Sequence, residues 1–341
     1  MSVVDNNKLG CANDETYHIV INNIYRAVEL IHFLFSALTL YVTYRLFLRL
    51  KQSDTIFHQS TLILLYLMLF YANVHGILLI ASQPLHVIRS FLVKNGCDAG
   101  YSAKNCSLVL IPVFVCLVGL VATQQALWIE RSLASIFLTK YETWGRMPGI
   151  ILASITALIS IFIPYYIFHD DTFEDTVNNC LGITHHSAGE VNNLLYSFIF
   201  LNLLAILSNC ILFLCNKTRE RKLRFLIKER FQLFENFTTT KWVGVIVLVQ
   251  FCFMTGYSTL LYLLRTKGDR SDMVKLTVMF ASSYTVPYFT FLLPLLLMFS
   301  LKSVGQNRAK AINALTNEKS TDHMRVLQST WNKVNRERDK F

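Results

Sequence analysis

The sequence predicts an all-α membrane protein, a bundle of seven transmembrane helices. The 341 residues are 53% hydrophobic and 16% charged, with a mean hydropathy of +0.41, which is not the composition of a soluble globular chain. Seven apolar runs reach the roughly 20 residues needed to cross about 30 Å of hydrocarbon. The basic residues are divided unevenly between the two sides of these runs, which predicts the orientation of the bundle in the membrane.

The seven apolar runs follow one another along nearly the whole chain. They cover residues 24–48, 60–82, 107–130, 148–168, 194–215, 242–264 and 276–300. The fourth run has no charged residue, whereas the first has Arg26, Glu29 and His32 in its opening turns. Arg26 and Glu29 are three positions apart, where opposite charges on a helix meet, so we expect a local ion pair. Pro287 and Pro294 predict kinks in the seventh run.

The division of Lys and Arg predicts the orientation of the bundle. The loops after the first, third and fifth runs, together with the C-terminal stretch, hold 23 of the 32 basic residues, and the opposite side holds 9. In membrane proteins the cytoplasmic loops carry the excess. We therefore expect an extracellular N-terminus over 1–23, the bundle over 24–300 and a basic cytoplasmic tail over 301–341.

Composition and motifs exclude several classes of function. The formal charge of +10 follows from topology and does not indicate a nucleic-acid partner. The eight cysteines include no C-x-x-C pair, so neither a zinc site nor a disulfide-dense secreted module is indicated. Motifs of metalloproteases, serine hydrolases and P-loop enzymes are missing. We expect no catalytic residues, cofactor or metal, and we expect the acidic loop 169–193 to be solvated.

Three cysteines lie near the outer ends of the runs, on the side where thiols are oxidised during secretion. Cys97 and Cys106 precede the third run, and Cys180 lies between the fourth and fifth. We expect a disulfide between Cys106 and Cys180, because it would hold that loop over the bundle. Cys97 and Cys11 are then candidates for a second bridge. The alternatives are a bridge between Cys97 and Cys106, or free thiols.

Glu130 and Arg131 close the third run on the cytoplasmic side. Arg131 is 25 positions from Cys106, a rise of roughly 37 Å at about 1.5 Å per residue, which crosses the membrane. Charges at such a place pair with each other, with the backbone or with a neighbouring helix. They form either an interface anchor or an ionic latch that opens when an intracellular partner docks, and both interpretations stay open at this point.

The loop 216–241 adds a basic amphipathic segment on the same side. It carries eight basic residues and an apolar stripe at helical spacing, made of Leu223, Ile227, Phe231 and Phe234. Such a segment can dock a protein or lie on anionic lipid, and the two roles are compatible. We take Lys228 and Arg230, with Glu130 and Arg131, as candidate contacts for an intracellular partner.

Polar and aromatic side chains in the outer halves of the runs are candidates for a ligand pocket. They are Asn73 and His75 in the second run, Tyr257 and Ser258 in the sixth, and Tyr284 and Tyr288 in the seventh. Each also has a structural interpretation, because tyrosine belongs to interfacial belts and Asn or His often bonds across helices.

Short motifs spread from residue 57 to residue 236 carry a family resemblance. They are Phe57-His58, His75, Cys106, Glu130-Arg131-Ser132-Leu133-Ala134, Tyr141-Glu142, and Arg230-Phe231-Gln232 followed by Glu235-Asn236. With this set the chain resembles the nematode serpentine chemoreceptors of the Sra superfamily, which groups classes alpha, beta, alpha/beta and epsilon. Within that group it leans towards class alpha/beta.

The resemblance implies a G-protein-coupled receptor in the plasma membrane of a sensory neuron or its cilium. It would bind an external small molecule between the outer helix halves and signal to a heterotrimeric G protein. Glu130-Arg131 also resembles the E/D-R-Y motif of rhodopsin-like receptors, with Ser132 at the Tyr position, although the N-P-x-x-Y motif of the seventh run is missing. Two alternatives use the same seven runs: a ligand-gated channel or transporter subunit, and a scaffold without a ligand.

Overall fold

The computed structural model is a helical bundle that covers most of the chain. The described residues are 14–52, 57–95, 99–137, 141, 143–222, 227–268, 272–303 and 305–306. Side chains are described over the same ranges except at 14, 15, 52 and 219–236. The chain divides into two units, Met1–Leu297 and Met298–Phe341, and the sites described below lie in the first.

Within the described residues, seven helices are long and apolar enough to cross a bilayer. They are span 1 (Asn23–Gln52), span 2 (Gln59–Leu92), span 3 (Ala103–Ile136), span 4 (Met147–Phe168), span 5 (Ala188–Lys222), span 6 (Ile227–Lys267) and span 7 (Met273–Ser303). A short helix, Asp14–Val20, precedes span 1. Each of the seven apolar runs lies inside one of these helices, and the predicted seven-helix fold is confirmed.

Side-chain caps fix where three of the spans begin. The Asn22 side-chain oxygen accepts from the backbone N–H of Ile24 at 2.9 Å, at the start of span 1. The His58 ring accepts from the backbone N–H of Ser60 at 3.4 Å, before span 2. Asp272 accepts from the backbone N–H of Lys275 at 2.9 Å and caps span 7. Each cap satisfies an N–H that has no partner inside its own helix.

Span 7 is interrupted before Pro287. Its first helical segment ends at Ser282, and helix resumes at 286. A proline has no N–H to donate, and its ring excludes the carbonyl one turn earlier, here that of Ser283. The Thr285 hydroxyl uses the opening to donate to the backbone carbonyl of Phe253 in span 6, at 2.9 Å. Helix continues through Pro294, so the structure has no break there.

Span 3 is the central helix of the bundle. It contacts spans 2, 4, 5 and 6. In its most apolar stretch 61% of the residues are buried, against 22% in spans 4 and 5. The apolar side chains of spans 4 and 5 are therefore mostly at the surface of the bundle, as in helices that face lipid.

Two glycines allow close packing around spans 2, 3 and 4. A Cβ on Gly119 of span 3 would lie 2.5 Å from the Tyr71 ring, and a Cβ on Gly149 of span 4 would lie 2.6 Å from the Cα of Ser60. Only glycine fits at these contacts. The Tyr71 hydroxyl is also within 2.8 Å of the Ser160 hydroxyl, which ties span 2 to span 4.

The two ends of the bundle differ in what closes them. At one end, strand β1 (Tyr101–Ser102) pairs antiparallel with strand β2 (Thr176–Val177) from the loop between spans 4 and 5. Cys106 lies here, at the start of span 3, and we call this the disulfide end. Arg131 lies near the other end of span 3, which we call the Arg131 end.

Candidate functional site

A disulfide anchors the loop between spans 4 and 5 at the disulfide end. Cys106 and Cys180 are bonded, with their Cα atoms 4.5 Å apart and a sequence separation of 74. Val177 of β2 packs beside Cys106 in a small buried cluster. Residues 176–183 thus form a roof over this end of the bundle. Cys11 and Cys97 lie outside the described residues.

A cavity of about 430 Å³ lies beneath the roof, within the size range of small-molecule sites. Spans 1, 2, 3, 6 and 7 supply its walls. One wall is apolar and comes from span 3, with Leu110, Val113, Phe114 and Leu117. Val113 and Phe114 follow Leu110 by three and four residues, and Leu117 follows them by four and three, so the four side chains share one face of the helix. The cavity has the mixed lining of a ligand site.

Three buried polar residues form one corner of the cavity on spans 1 and 2. Glu29 and His32 are one turn apart on span 1, and Gln83 faces them from span 2. All three are at most 3% exposed. His32 Nε2 and Gln83 Oε1 have no hydrogen-bond partner within the described structure. Unpaired buried polar atoms are costly, so this corner of the cavity is suited to a polar ligand group.

The structure brings together only some of the predicted pocket residues. Tyr257 and Tyr284 line the cavity, with ring centroids 5.5 Å apart. His75 lies behind them, where its Nε2 is 2.6 Å from the Tyr284 hydroxyl. Tyr288 lies edge-on to His32, with ring centroids 5.9 Å apart. His32 also lies edge-on to Tyr284 and so joins these four aromatic side chains into one group, and of the four only Tyr257 and Tyr284 line the cavity.

The other two predicted pocket residues are not in the cavity wall. Asn73 donates from its side chain to the Leu69 carbonyl of its own helix, at 2.6 Å. Ser258 is buried, and its hydroxyl has no partner within the described part of the chain. Which polar residue of a helix faces a cavity depends on the rotation of that helix, and a single sequence does not fix this rotation.

The predicted ion pair between Arg26 and Glu29 is wrong. Arg26 donates to the Ser90 hydroxyl at 2.8 Å and to the Ser90 carbonyl at 2.7 Å, and its guanidinium lies 4.1 Å from the centroid of the Phe91 ring. Glu29 instead faces His86 of span 2 at 3.3 Å. Sequence reasoning thus missed Glu29 as a cavity residue, although a carboxylate inside an apolar run is itself a signal for function.

A buried polar cluster closes the Arg131 end. Arg131 donates from Nε to Glu130 Oε2 at 2.6 Å and from its terminal nitrogen to Thr61 of span 2, also at 2.6 Å. Thr61 in turn donates to Glu130 at 3.1 Å, and the Tyr141 hydroxyl donates to the same carboxylate. Glu130 and Arg131 are 0% and 2% exposed. The charges meet within one helix and are bonded to a second helix and a connecting loop.

The loop between spans 3 and 4 is tied to the start of span 2. The Ser60 hydroxyl donates to the Gly145 carbonyl at 2.9 Å, and the ring of His58 lies 4.6 Å from the Tyr141 ring. Burial, and then the Glu130 carboxylate, raise the pKa of the Tyr141 hydroxyl above its usual range. Tyr141 therefore stays protonated and acts as a donor.

For the predicted coupling residues of the basic segment, the structure describes the backbone but not the side chains. Lys228 and Arg230 lie in the first turns of the helix that includes span 6, Ile227–Lys267. Their side chains lie outside the described residues. The apolar stripe at Ile227, Phe231 and Phe234 falls in the same stretch.

The acidic loop is held by its own hydroxyl groups. Asp171 accepts from the hydroxyl groups of Thr184 and Ser187 and from the backbone N–H of Phe173 at 3.0 Å. Burial disfavours the charged carboxylate, but these hydrogen bonds outweigh it and hold the pKa of Asp171 below its usual value. Among the described residues no group of three His, Cys, Asp or Glu side chains could hold a metal ion.

Span 3 connects two sites. At one of its ends lies a cavity roofed by a disulfide-anchored loop, and at the other end lies a closed charge cluster. Together with the seven spans, this is the arrangement of a seven-helix membrane receptor. The family model of the serpentine type 7TM GPCR chemoreceptor Sra matches residues 6–331. The chain belongs to this family of multi-pass membrane receptors, and the resemblance of its motifs to the Sra superfamily is confirmed.

Individual relatives match over nearly the whole chain. Serpentine receptor class alpha-10 of Caenorhabditis elegans is 30% identical over 97% of this chain and 100% of its own length. The receptor of the same name from Caenorhabditis briggsae is 30% identical over 94% and 97%. Serpentine receptor class alpha-1 of Caenorhabditis elegans is 28% identical over 81% and 84%. These relatives carry the name of class alpha, not of class alpha/beta, towards which the motifs lean.

Proposed function

We propose that this protein is a chemosensory G-protein-coupled receptor that binds an external small molecule in the cavity at the disulfide end. In this proposal the disulfide end and the N-terminus are extracellular, and the Arg131 end and residues 301–341 are cytoplasmic, as the division of basic residues favours. The protein acts in the plasma membrane of a sensory neuron or its cilium. It is a receptor without catalytic activity.

One observation carries the proposal: span 3 contacts both sites. Leu110, Val113, Phe114 and Leu117 line the cavity, and Glu130 and Arg131 lie in the buried cluster. From Leu117 to Arg131 the helix rises roughly 21 Å at about 1.5 Å per residue. A shift or rotation of this single helix at the cavity therefore acts directly on the cluster.

The cluster sets the resting arrangement. Arg131 is bonded to Glu130 and to Thr61 of span 2, which holds spans 2 and 3 together at the Arg131 end. A ligand that binds more tightly to a second packing of the bundle shifts the population towards it. In that packing the bonds of Arg131 open, and the guanidinium becomes available to a G protein.

The G protein would dock beside the basic segment. Lys228 and Arg230 begin the helix of span 6 on the proposed cytoplasmic side, within the segment 216–241 that carries eight basic residues. Basic residues at this place bind acidic protein surfaces and anionic headgroups alike. The lipid bilayer is therefore the second partner of this face.

The test is a G-protein activation assay in a heterologous cell, with a panel of volatile and water-soluble chemicals applied from outside. We expect at least one compound to activate the receptor, and we expect Arg131→Ala to abolish that response at equal surface expression. Ser132→Ala is the matched control, because within the described residues the Ser132 hydroxyl bonds only to the Trp128 carbonyl of its own helix, at 2.9 Å.

The proposal fails if Arg131→Ala and charge reversal at Lys228 and Arg230 leave the response intact. Ligand-dependent current or uptake by the purified protein in liposomes, without any G protein, would also contradict it and would favour a channel or transporter.

A further inference from the structure

Glu29 is a buried carboxylate that lines the cavity without a strong cationic partner. It is 3% exposed. Its ion-pair partner is His86, whose Nδ1 lies 3.3 Å from the carboxylate. Within the described residues no Lys or Arg side chain forms a salt bridge with Glu29. A carboxylate in an apolar bundle is costly unless a positive charge meets it.

The groups beside Glu29 are suited to accepting hydrogen bonds. Gln83 presents an unpartnered carbonyl oxygen, and His32 has an unpartnered ring nitrogen. Both residues line the cavity with Glu29. A carboxylate and an amide oxygen accept and do not donate, so this corner is complementary to a ligand group with several N–H donors.

The roof above the cavity is flanked by acidic residues. The loop between spans 4 and 5, residues 169–187, holds Asp170, Asp171, Glu174 and Asp175, with no Lys or Arg. A mouth lined by one sign of charge raises the local concentration of ligands of the opposite sign. The other charged residue of the cavity, Arg265, lies on span 6, and its guanidinium donates to the Asn192 side chain of span 5.

We propose that the ligand is a small protonated amine whose ammonium group pairs with Glu29 while its apolar body lies against Leu110, Val113 and Leu117 of span 3. This inference rests on the proposed function, because it takes the cavity as the ligand site. An ammonium group supplies both the positive charge and the three donors that the corner lacks. An alcohol or an amide supplies donors without the charge.

The roof is fixed to the helix that carries Glu29. Asn179, next to the disulfide-bonded Cys180, donates from its side chain to the Tyr25 hydroxyl. Tyr25 lies one turn before Glu29 on span 1.

The experiment measures ligand binding as the rise in unfolding temperature of the purified full chain in lipid nanodiscs. The probes are two matched sets, phenethylamine with phenethyl alcohol and hydrocinnamate, and hexylamine with hexanol and hexanoate. We expect the amine of at least one set to stabilise the chain more than its alcohol and its carboxylate. Glu29→Gln should weaken amine binding by about ten-fold to a hundred-fold, the value of one charge-assisted bond.

Two further variants keep the test informative. Glu29→Asp retains the charge on a shorter side chain and should bind the amine more tightly than Glu29→Gln does. Glu190→Gln is the matched control, since Glu190 is an exposed acidic residue at the same end that does not line the cavity, and it should bind the amine like the unchanged chain. If Glu29→Gln does not fold, amine binding is compared between Glu29→Asp and Glu190→Gln. Weaker binding by Glu29→Asp supports the inference, and equal binding overturns it.

Stabilisation by the alcohols or carboxylates in preference to the amines would overturn the inference, as would amine binding that Glu29→Gln and Glu29→Asp leave unchanged. A panel without any stabilising amine would overturn it too. The two proposals fail separately: amine binding without G-protein activation would reject the proposed function alone, whereas activation by neutral compounds that bind without Glu29 would reject this inference alone.

Discussion

Glu130 and Arg131 are adjacent in the sequence, and their buried side chains bond to one another. Neighbouring residues of a helix point about 100° apart, so the pair closes only because both side chains bend towards Thr61 and Tyr141. Removing one member of a buried ion pair leaves the other charge uncompensated, at a cost of about 3–5 kcal/mol. The hydroxyl groups around the pair can be removed at a smaller cost.

Tyr141→Phe removes one hydroxyl donor and keeps the ring. We expect the chain to lose about 1–3 kcal/mol of stability, the value of a hydrogen bond to a charged group, and we expect its basal G-protein activity to rise because the closed cluster is weakened. Unfolding temperature and basal activity measure the two effects. Tyr44→Phe, at an exposed tyrosine of span 1, should change neither, and basal activity that stays level in Tyr141→Phe would argue against the cluster as a restraint.

Asp171→Asn tests the bonds that hold the acidic loop. Because the pKa of Asp171 is below its ordinary value of 3.8 in the folded protein, the charged carboxylate stabilises the loop above about pH 4, and this contribution is lost as the pH falls through the lowered pKa. We expect faster hydrogen exchange at Thr184 and Ser187 in Asp171→Asn near neutral pH, and no difference between the two chains at pH values below the lowered pKa.

Asp170→Asn is the matched control for this change. The neighbouring Asp170 side chain is 72% exposed and faces only the exposed ring of His169. Equal rates of hydrogen exchange at Thr184 and Ser187 in Asp170→Asn and Asp171→Asn would show that the hydroxyl bonds of Asp171 do not hold the loop.

At the scale of helices, span 4 depends on one glycine for its position. Gly149 lets span 4 approach the backbone of Ser60, and the Ser60 hydroxyl in turn bonds to Gly145, just before span 4. The contact lies beside Thr61, a member of the cluster around Arg131. The packing of span 4 on span 2 and the closure of the Arg131 end are therefore linked through two consecutive residues.

Gly149→Ala should separate spans 2 and 4, because its Cβ would lie 2.6 Å from the Cα of Ser60. We expect a loss of about 1–3 kcal/mol, the usual range for overpacking, measured as a lower unfolding temperature. Gly256→Ala in span 6 is the control, since its Cβ meets nothing within 4 Å, and alanine there should raise helix stability by about 0.5–1 kcal/mol. A stabilising Gly149→Ala would contradict the close approach.

For the whole molecule, the disulfide connects the roof to the central helix over a sequence separation of 74. Crosslinks that close long loops restrict the unfolded chain and stabilise the fold by about 2–4 kcal/mol. We expect Cys180→Ser to lower the unfolding temperature and to reduce the effect of a reductant on it. Cys252→Ser, at an exposed free cysteine, should keep both the stability and the sensitivity. A reductant that does not affect the unchanged chain would contradict this.

The sequence predicts the seven helices well because span length and apolar composition are properties of one segment at a time. Cys106 and Cys180 could be matched for a similar reason, since each lies at the same end of a predicted run. Glu29 could not be assigned, because its partner His86 is on another helix. The same holds for Asn73, whose side chain turns back onto its own helix.

The cavity wall takes residues from spans 1, 2, 3, 6 and 7 and from the roof, and within the described part of the chain it takes none from spans 4 and 5. In the proposed receptor, ligand recognition is thus kept away from spans 4 and 5, the two spans with the smallest buried share. Chimaeric receptors in which spans 4 and 5 come from a relative should keep the chemical selectivity of this chain and acquire the lipid preference of the donor.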